Sequence, residues 1–375
     1  MRINLSHLIY CGIAFAISAP LIPLIIRMSR RFNLFDSIDA RKIHKGQISR
    51  FGGLAIFIAF VIVGGYAVFP SLGTVVNKWL YIAALFVAFL TGFADDVKRV
   101  KARYKLVLQL VAAVLVAFSG LTVKAVSIYT FGWFHLGIFS YIITIIWVVA
   151  FMNAINLIDG MDGLSTGVVL IANVFIFIVS AMTGNFLVTL LAAILGGAIL
   201  GFYVFNFPPA KRVLGDGGAY CIGFVYATLP LMGVHKTVVL TLFLVPLVLL
   251  LVPLADVIQV MLNRYRRGQN IFFPDKTHLH HRLMAVGLST KGILFVMYTY
   301  TVVLGLSSIL IISIPPRYSL ILLSIIILLL LLSFIMLASA EGVIERLTAQ
   351  TEKTKTTATV SPARKSGSTG KRKSK

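Results

Sequence analysis

The chain has 375 residues, of which 59% are hydrophobic and 12% charged, whereas soluble globular domains run at about 45–50% and about 25%. The apolar residues come in blocks such as Val238–Pro253 and Ile321–Leu332, which have no polar side and so exclude a soluble surface helix. The formal net charge of +22 invites a nucleic-acid partner, but the basic residues fall between the apolar blocks in a way that argues against one.

Hydropathy predicts an all-α polytopic membrane protein with about eleven spans, because a hydrocarbon core of roughly 30 Å needs about 20 apolar residues in helical form. They fall near 6–26, 51–69, 79–94, 105–121, 138–155, 164–183, 186–205, 219–234, 237–262, 292–313 and 319–338. The first span is too long for a cleaved signal peptide and has no basic segment before it. Cys11 and Cys221 both fall inside spans and say nothing about disulfides.

Alternate loops are basic. One set carries Arg27, Arg30, Arg31, Arg41, Lys42, Lys45 and Arg50, then Lys98, Arg99, Lys101, Arg103 and Lys105, then Lys211 and Arg212, then Arg264, Arg266, Arg267, Lys276, Arg282 and Lys291. The opposite set holds only Arg2, Lys78, Lys124, Lys236 and Arg317. This positive-inside asymmetry predicts an outside N-terminus and a cytoplasmic C-terminus. All 12 acidic residues lie on the cytoplasmic side or at a cytoplasmic span end. Carboxylates at the edge of the hydrocarbon are costly, so they point to function.

The predicted organisation is a transmembrane domain over residues 1–345, with catalytic cytoplasmic loops, and a basic tail over 346–375. The tail has almost no large apolar residue. Its composition predicts disorder, and it serves either weak attraction to anionic lipid or solubility alone.

Four polar motifs stand out along the chain. Asp95-Asp96 ends the third span, just before the stretch Val97–Lys105. Adjacent carboxylates repel, and a divalent cation or the flanking bases would relieve them. Next, Asn153-Ala-Ile-Asn156-Leu-Ile-Asp159-Gly160-Met-Asp162-Gly163-Leu164 repeats an oxygen-bearing residue at every third position. Its glycines predict a helix break that turns Asp159 and Asp162 back towards Asn156. Amide and carboxylate oxygens suit Mg²⁺; a simple helix C-cap is the plainer alternative. Third, Leu214-Gly215-Asp216-Gly217-Gly218 opens the eighth span, where glycines before a helix free backbone N–H groups for a phosphate. A plain turn has the same composition. Last comes Pro274-Asp275-Lys276-Thr277-His278-Leu279-His280-His281-Arg282. Three His and one Arg fit either a zinc site or hydrogen bonds to a phosphorylated ligand. The missing Cys and the adjacent imidazoles favour the second.

These residues carry a resemblance. The chain resembles the polyprenyl-phosphate N-acetylhexosamine-1-phosphate transferase superfamily from Arg41 to about Leu288. The match includes Arg41-Lys-Ile-His44-Lys45-Gly46, Arg50-Phe-Gly52-Gly53-Leu54, Asp95-Asp96, the Asn153–Leu164 run and the Gly215–Gly218 turn. Its His278–Arg282 signature is similar to the branch that begins O-antigen and teichoic-acid linkage synthesis with GlcNAc-1-phosphate. One departure is Ala219, where the family often has Ser.

The resemblance implies transfer of HexNAc-1-phosphate from a UDP-N-acetylhexosamine to undecaprenyl phosphate, with release of UMP, at the cytoplasmic face of a bacterial inner membrane. It implies Mg²⁺, with Mn²⁺ as the alternative, on Asn156 and Asp216. Lys105 would meet the pyrophosphate. Gly53, Asp162 and the Val213-Leu214 backbone would line the uridine pocket. Asp95 and Asp96 would prepare the lipid phosphate or support the metal, with Asp159 beside them. His278, His280, His281 and Arg282 would face the nucleotide sugar. The expected partners are therefore the UDP-sugar, undecaprenyl phosphate, membrane lipid and a second copy in a homodimer, with no nucleic acid. A transporter is the rival class, but transport needs polar groups near the midplane, and these carboxylates sit at one edge.

Overall fold

The computed structural model describes residues 3–31, 50–128, 132–210, 213–232, 279–315, 317–319 and 321–329, with isolated positions 256, 259, 261, 264, 268, 332 and 336. The basic segment 41–45, most of the predicted span 237–262, His278 and the tail 346–375 lie outside these residues.

In chain order the elements are helices α1 (Leu5–Arg31), α2 (Gly52–Ala67), α3 (Phe69–Leu72), α4 (Lys78–Val97) and α5 (Ala102–Phe118), then strands β1 (Ala125–Ile128) and β2 (Gly132–His135). They continue as α6 (Phe139–Ile158), α7 (Leu164–Met182), α8 (Phe186–Asn206), α9 (Gly215–Thr228), a 3-10 turn (Leu229–Met232), α10 (Leu279–Ala285) and α11 (Thr290–Ser313). Helices α1, α4, α6, α7, α8 and α11 are long and apolar enough to cross a membrane; α2 and Arg317–Leu329 are shorter apolar helices. The chain is a multi-pass membrane protein.

The predicted all-α fold has one exception: between α5 and α6, β1 and β2 pair antiparallel, with Ala125 opposite His135 and Ile128 opposite Gly132. Val126 and Ile128 on one strand, and Trp133 and Phe134 on the other, are residue types that favour pleated backbone. Over the predicted span 219–234 the structure has the 14-residue α9, continued by the 3-10 turn. Every residue of α9 except Asp216 is buried. Its apolar run faces protein rather than lipid.

Helix α9 is the pillar of the bundle, with α2, α4 and α6 packed around it. α5 packs on α4 and α6, α8 lies against α1, α2 and α7, and α11 covers α7. Lipid is as apolar as leucine, so helices in a membrane associate by close packing at small residues. Here a Cβ on Gly53 would overlap Gly218, one on Gly92 would overlap the Asp216–Gly217 peptide, and one on Gly223 would overlap Met152. These three crossings fix α2, α4 and α6 on the start and middle of α9.

Candidate active site

Three of the four polar motifs meet because they occupy helix ends on one side of the bundle; the His278–Arg282 motif is not joined to them among the described residues. α4 ends with Asp95 and Asp96, Lys105 lies near the start of α5, and Asp216 is in the first turn of α9. Lys105 Nζ is 3.2 Å from Asp95 Oδ2 and 3.1 Å from Asp216 Oδ2. One ammonium thus joins two carboxylates from different helices. The other Asp95 oxygen accepts the Val100 N–H at 2.7 Å, which folds the basic loop back over the end of α4.

Asp96 turns the other way. Its two oxygens accept the backbone N–H groups of Asp216 and Gly217, both at 2.9 Å. The first N–H groups of a helix have no intrahelical acceptor, and a carboxylate there also meets the positive end of the helix dipole. The amides expected to approach a phosphate at this turn are therefore held by Asp96. Gly215 has φ +79°, a left-handed conformation that suits glycine, and a Cβ there would also overlap the Arg50 carbonyl.

The predicted helix break is present. α6 ends at Ile158, Asp159 caps it, and Gly163 (φ 73°) leads into α7. Asp159 Oδ1 accepts the Ser165 hydroxyl at 2.5 Å, and the Gly215 N–H also reaches its carboxyl. Burial pushes the Asp159 carboxyl up to about 7; the Asp216 charge adds to this, while Ser165, Gly215 and the Arg50 charge oppose it.

Asn156 stands one turn before Asp159, and its carbonyl accepts the Asp159 N–H at 3.1 Å. Its side-chain Nδ2 is buried with no hydrogen-bond partner among the described residues. A half-turn of the amide puts Oδ1 in that place. The Asn156 amide and the Asp216 carboxylate are hard oxygen donors of the kind Mg²⁺ takes, together with water and substrate phosphate oxygens. By donor chemistry each residue suits a divalent cation. Among the described residues no group of three or more His, Cys, Asp and Glu is placed to hold a metal unaided.

Gly53 and Leu214 are joined through the backbone. The Gly53 N–H donates to the Leu214 carbonyl at 2.8 Å and the Gly52 N–H to the Val213 carbonyl at 3.3 Å. Asp162 Oδ2 accepts the Ala210 N–H at 3.0 Å, and Asn206 Oδ1 accepts the Gly163 N–H at 3.2 Å. Tyr298 of α11 donates its hydroxyl to the Gly163 carbonyl at 2.6 Å. The loop between α6 and α7 is thus pinned from two sides. His280 and His281 lie in α10, of which the structure describes the backbone at these two positions. Arg282 is buried, and its Nη1 donates to Gln259 Oε1 at 2.9 Å. Asp256 Oδ1 accepts the Leu279 N–H at the start of α10 at 2.8 Å.

Ser165, Gln109 and Tyr220 are site neighbours that the motifs did not single out. Gln109 had a usable signal, as the lone strongly polar residue in Leu106-Val-Leu-Gln-Leu-Val-Ala-Ala-Val: a polar group in a span has a reason to be there.

A membrane bundle that gathers carboxylates, a lysine and a buried amide at one edge suits an enzyme acting on phosphorylated substrates. The family model described as glycosyl transferase family 4 matches residues 78–234, the stretch that carries Asp95 through Asp216. A Bacillus subtilis protein, described as a probable undecaprenyl-phosphate N-acetylglucosaminyl 1-phosphate transferase, is 33% identical over 307 residues, covering 82% of this chain and 85% of that protein. Two phospho-N-acetylmuramoyl-pentapeptide-transferases are also similar. The Streptococcus pyogenes protein is 34% identical over 216 residues, 54% of this chain and 63% of its own. The Streptococcus pneumoniae protein is 32% identical over 250 residues, 64% and 75%. The chain belongs to glycosyl transferase family 4, the membrane sugar-1-phosphate transferases. Membership implies undecaprenyl phosphate and a UDP-sugar as substrates and, in general, a metal-dependent reaction.

Proposed function

We propose that the chain transfers GlcNAc-1-phosphate from UDP-GlcNAc to undecaprenyl phosphate at the cytoplasmic face, releasing UMP and leaving the lipid-linked first intermediate of an envelope glycan. The reading rests above all on Lys105, which bridges Asp95 and Asp216; the buried Asn156 amide nitrogen, which has no hydrogen-bond partner among the described residues, adds to it. The GlcNAc assignment is supported by the His278–Arg282 signature and by the described activity of the Bacillus subtilis relative. The cytoplasmic face is supported by the loop charge asymmetry.

An oxygen of the lipid phosphate attacks the β-phosphorus of the UDP-sugar, the bond from that phosphorus to the bridging oxygen breaks, and UMP leaves. Such transfers need positioning and charge neutralisation more than covalent help. Asn156 and Asp216 would hold Mg²⁺, which when bound would supply charge neutralisation and Lewis acidity. Lys105 brings a fixed cation to the diphosphate, where charge grows on the departing UMP. Asp95, on the same ammonium, is the group we assign to take a proton from the lipid phosphate when that phosphate arrives protonated. Asp96 keeps Asp216 aimed by holding the start of α9. Gly53, Leu214 and Asp162 form the uridine side, and His278, His280, His281 and Arg282 the nucleotide-sugar side. The domain reading is a transferase over 1–345 followed by a basic tail.

The test is UMP release by purified protein with Mg²⁺, undecaprenyl phosphate and a panel of UDP-sugars. Release with UDP-GlcNAc alone among the panel is the expected result. Release with a different UDP-N-acetyl sugar would keep the chemistry and overturn the sugar.

A further inference from the structure

Behind the three residues assigned to the metal and the diphosphate lies a second polar layer. One helical turn beyond Lys105 on α5 is Gln109; one turn before Asn156 on α6 is Asn153; one turn beyond Asp216 on α9 is Tyr220. Residues three or four apart share a helix face, so each member of the second layer sits directly behind a member of the first. The layer is internally bonded. Gln109 Nε2 donates to Asn153 Oδ1 at 3.3 Å, and Asn153 Nδ2 donates back to Gln109 Oε1 at 2.8 Å. Asn153 Nδ2 also donates to the Val149 carbonyl at 2.8 Å. The Tyr220 side chain lies near that of Gln109. Gln109 is 1% and Tyr220 2% exposed.

Small apolar residues would close three helices in a membrane without burying amides. A reciprocal amide pair adds direction, because its two bonds form at only one rotation and one axial offset of the helices. That constraint matters most for α5, whose main neighbours are α4 and α6 and which reaches α9 through the Lys105 side chain.

We infer that Gln109, Asn153 and Tyr220 are positioning residues that lock the rotation of α5, α6 and α9, so that Lys105, Asn156 and Asp216 converge on the diphosphate and its cation. The inference rests on the roles proposed above for those three residues. The Gln109–Asn153 pair carries most of the effect, since it closes on itself; Tyr220 extends it to α9.

The experiment is a double-mutant cycle of Gln109→Leu and Asn153→Leu, with Gln109→Asn/Asn153→Gln as a swapped pair. Each variant is read for Tm, for kcat and KM with the UDP-sugar that the wild type uses, and for the Mg²⁺ concentration at half-maximal rate. Each single Leu variant strands a buried amide and lowers Tm. The double Leu variant removes both amides and recovers Tm. A purely structural pair would recover kcat along with Tm. The inference expects kcat in the double variant to stay about 10–100-fold down, the scale of an ångström-sized misplacement, with half-saturation by Mg²⁺ raised several-fold and KM for the UDP-sugar little changed. It also expects the swapped pair, which can still bond reciprocally, to regain much of the rate. Wild-type kcat in the double Leu variant, or losses that simply follow Tm, overturns the inference. The failure of the underlying roles has a different signature: Asn156→Ala and Asp216→Asn would then remain active whatever the second layer does.

Discussion

Lys105 and Asp216 lie 3.1 Å apart on α5 and α9, two helices that share α4 and α6 as neighbours. The same ammonium is 3.2 Å from Asp95. An ammonium held between two carboxylates is a fixed positive charge that needs no reorganisation when a diphosphate arrives, and preorganised charge is worth most where charge develops.

Lys105→Ala should therefore lower kcat more than it raises KM for the UDP-sugar. A loss of about 10²–10³-fold in kcat is the scale for removing one preorganised donor. Steady-state kinetics in detergent check it. A raised KM with normal kcat would make Lys105 a ground-state anchor only.

Asp96→Ala should act mainly through stability. The substitution strips the acceptor from two N–H groups at the start of α9, and losing such a cap costs about 0.5–2 kcal/mol. Asp96→Asn keeps one acceptor oxygen and should fall between. Thermal melts of the three proteins should rank wild type, Asn, Ala; an Ala variant that melts with the wild type contradicts the capping role.

Gly92→Ala should fold poorly, because its Cβ would enter the Asp216–Gly217 peptide of the neighbouring helix. Overpacking of this kind costs about 1–3 kcal/mol or more. Gly64→Ala is the control, since nothing lies within 4 Å of its Cβ position. Fluorescence-detected size exclusion should show a reduced monodisperse peak for the first and a normal one for the second.

Asp159 gives a pH dependence with a definite sign. Its folded-state value of about 7 lies above the ordinary carboxylate value of about 3.9, so the folded protein binds this proton more tightly than the unfolded chain. That contribution is complete below about pH 4 and is lost as pH rises to about 7. With divalent cations chelated, wild-type Tm should fall relative to that of Asp159→Asn between pH 5 and 8, by about 2–5 °C. Parallel pH curves for the two proteins would contradict it.

Much of this was legible in the sequence. Lys/Arg-free apolar stretches of 16 or more residues announce helices α1, α4, α6, α7, α8 and α11, because length and apolarity are what the bilayer demands. Glycines at 160 and 163 announce the break after α6. Hydropathy could not show that α9 is buried in protein, since a helix wrapped by helices and one wrapped by lipid have the same composition. Nor could it show that Asp96 caps α9 while its neighbour Asp95 meets Lys105. Adjacent residues on a helix point about 100° apart, and their partners lie on other helices. The Gln109–Asn153 pair is a contact between distant segments, and a lone glutamine in an apolar run does not name its partner.

The most direct measurement is UMP release by wild type, Asn156→Ala and Asp216→Asn across a Mg²⁺ titration, each shown to be folded by its melt. Wild-type turnover should need the UDP-sugar, undecaprenyl phosphate and Mg²⁺ together and should stop on chelation. Both variants should lose turnover by about 10³-fold or more, the several kcal/mol expected of a lost metal ligand. A folded Asp216→Asn protein that turns over near the wild-type rate in limiting Mg²⁺, or a wild type indifferent to chelation, would contradict the assignment of Asn156 and Asp216 to the metal.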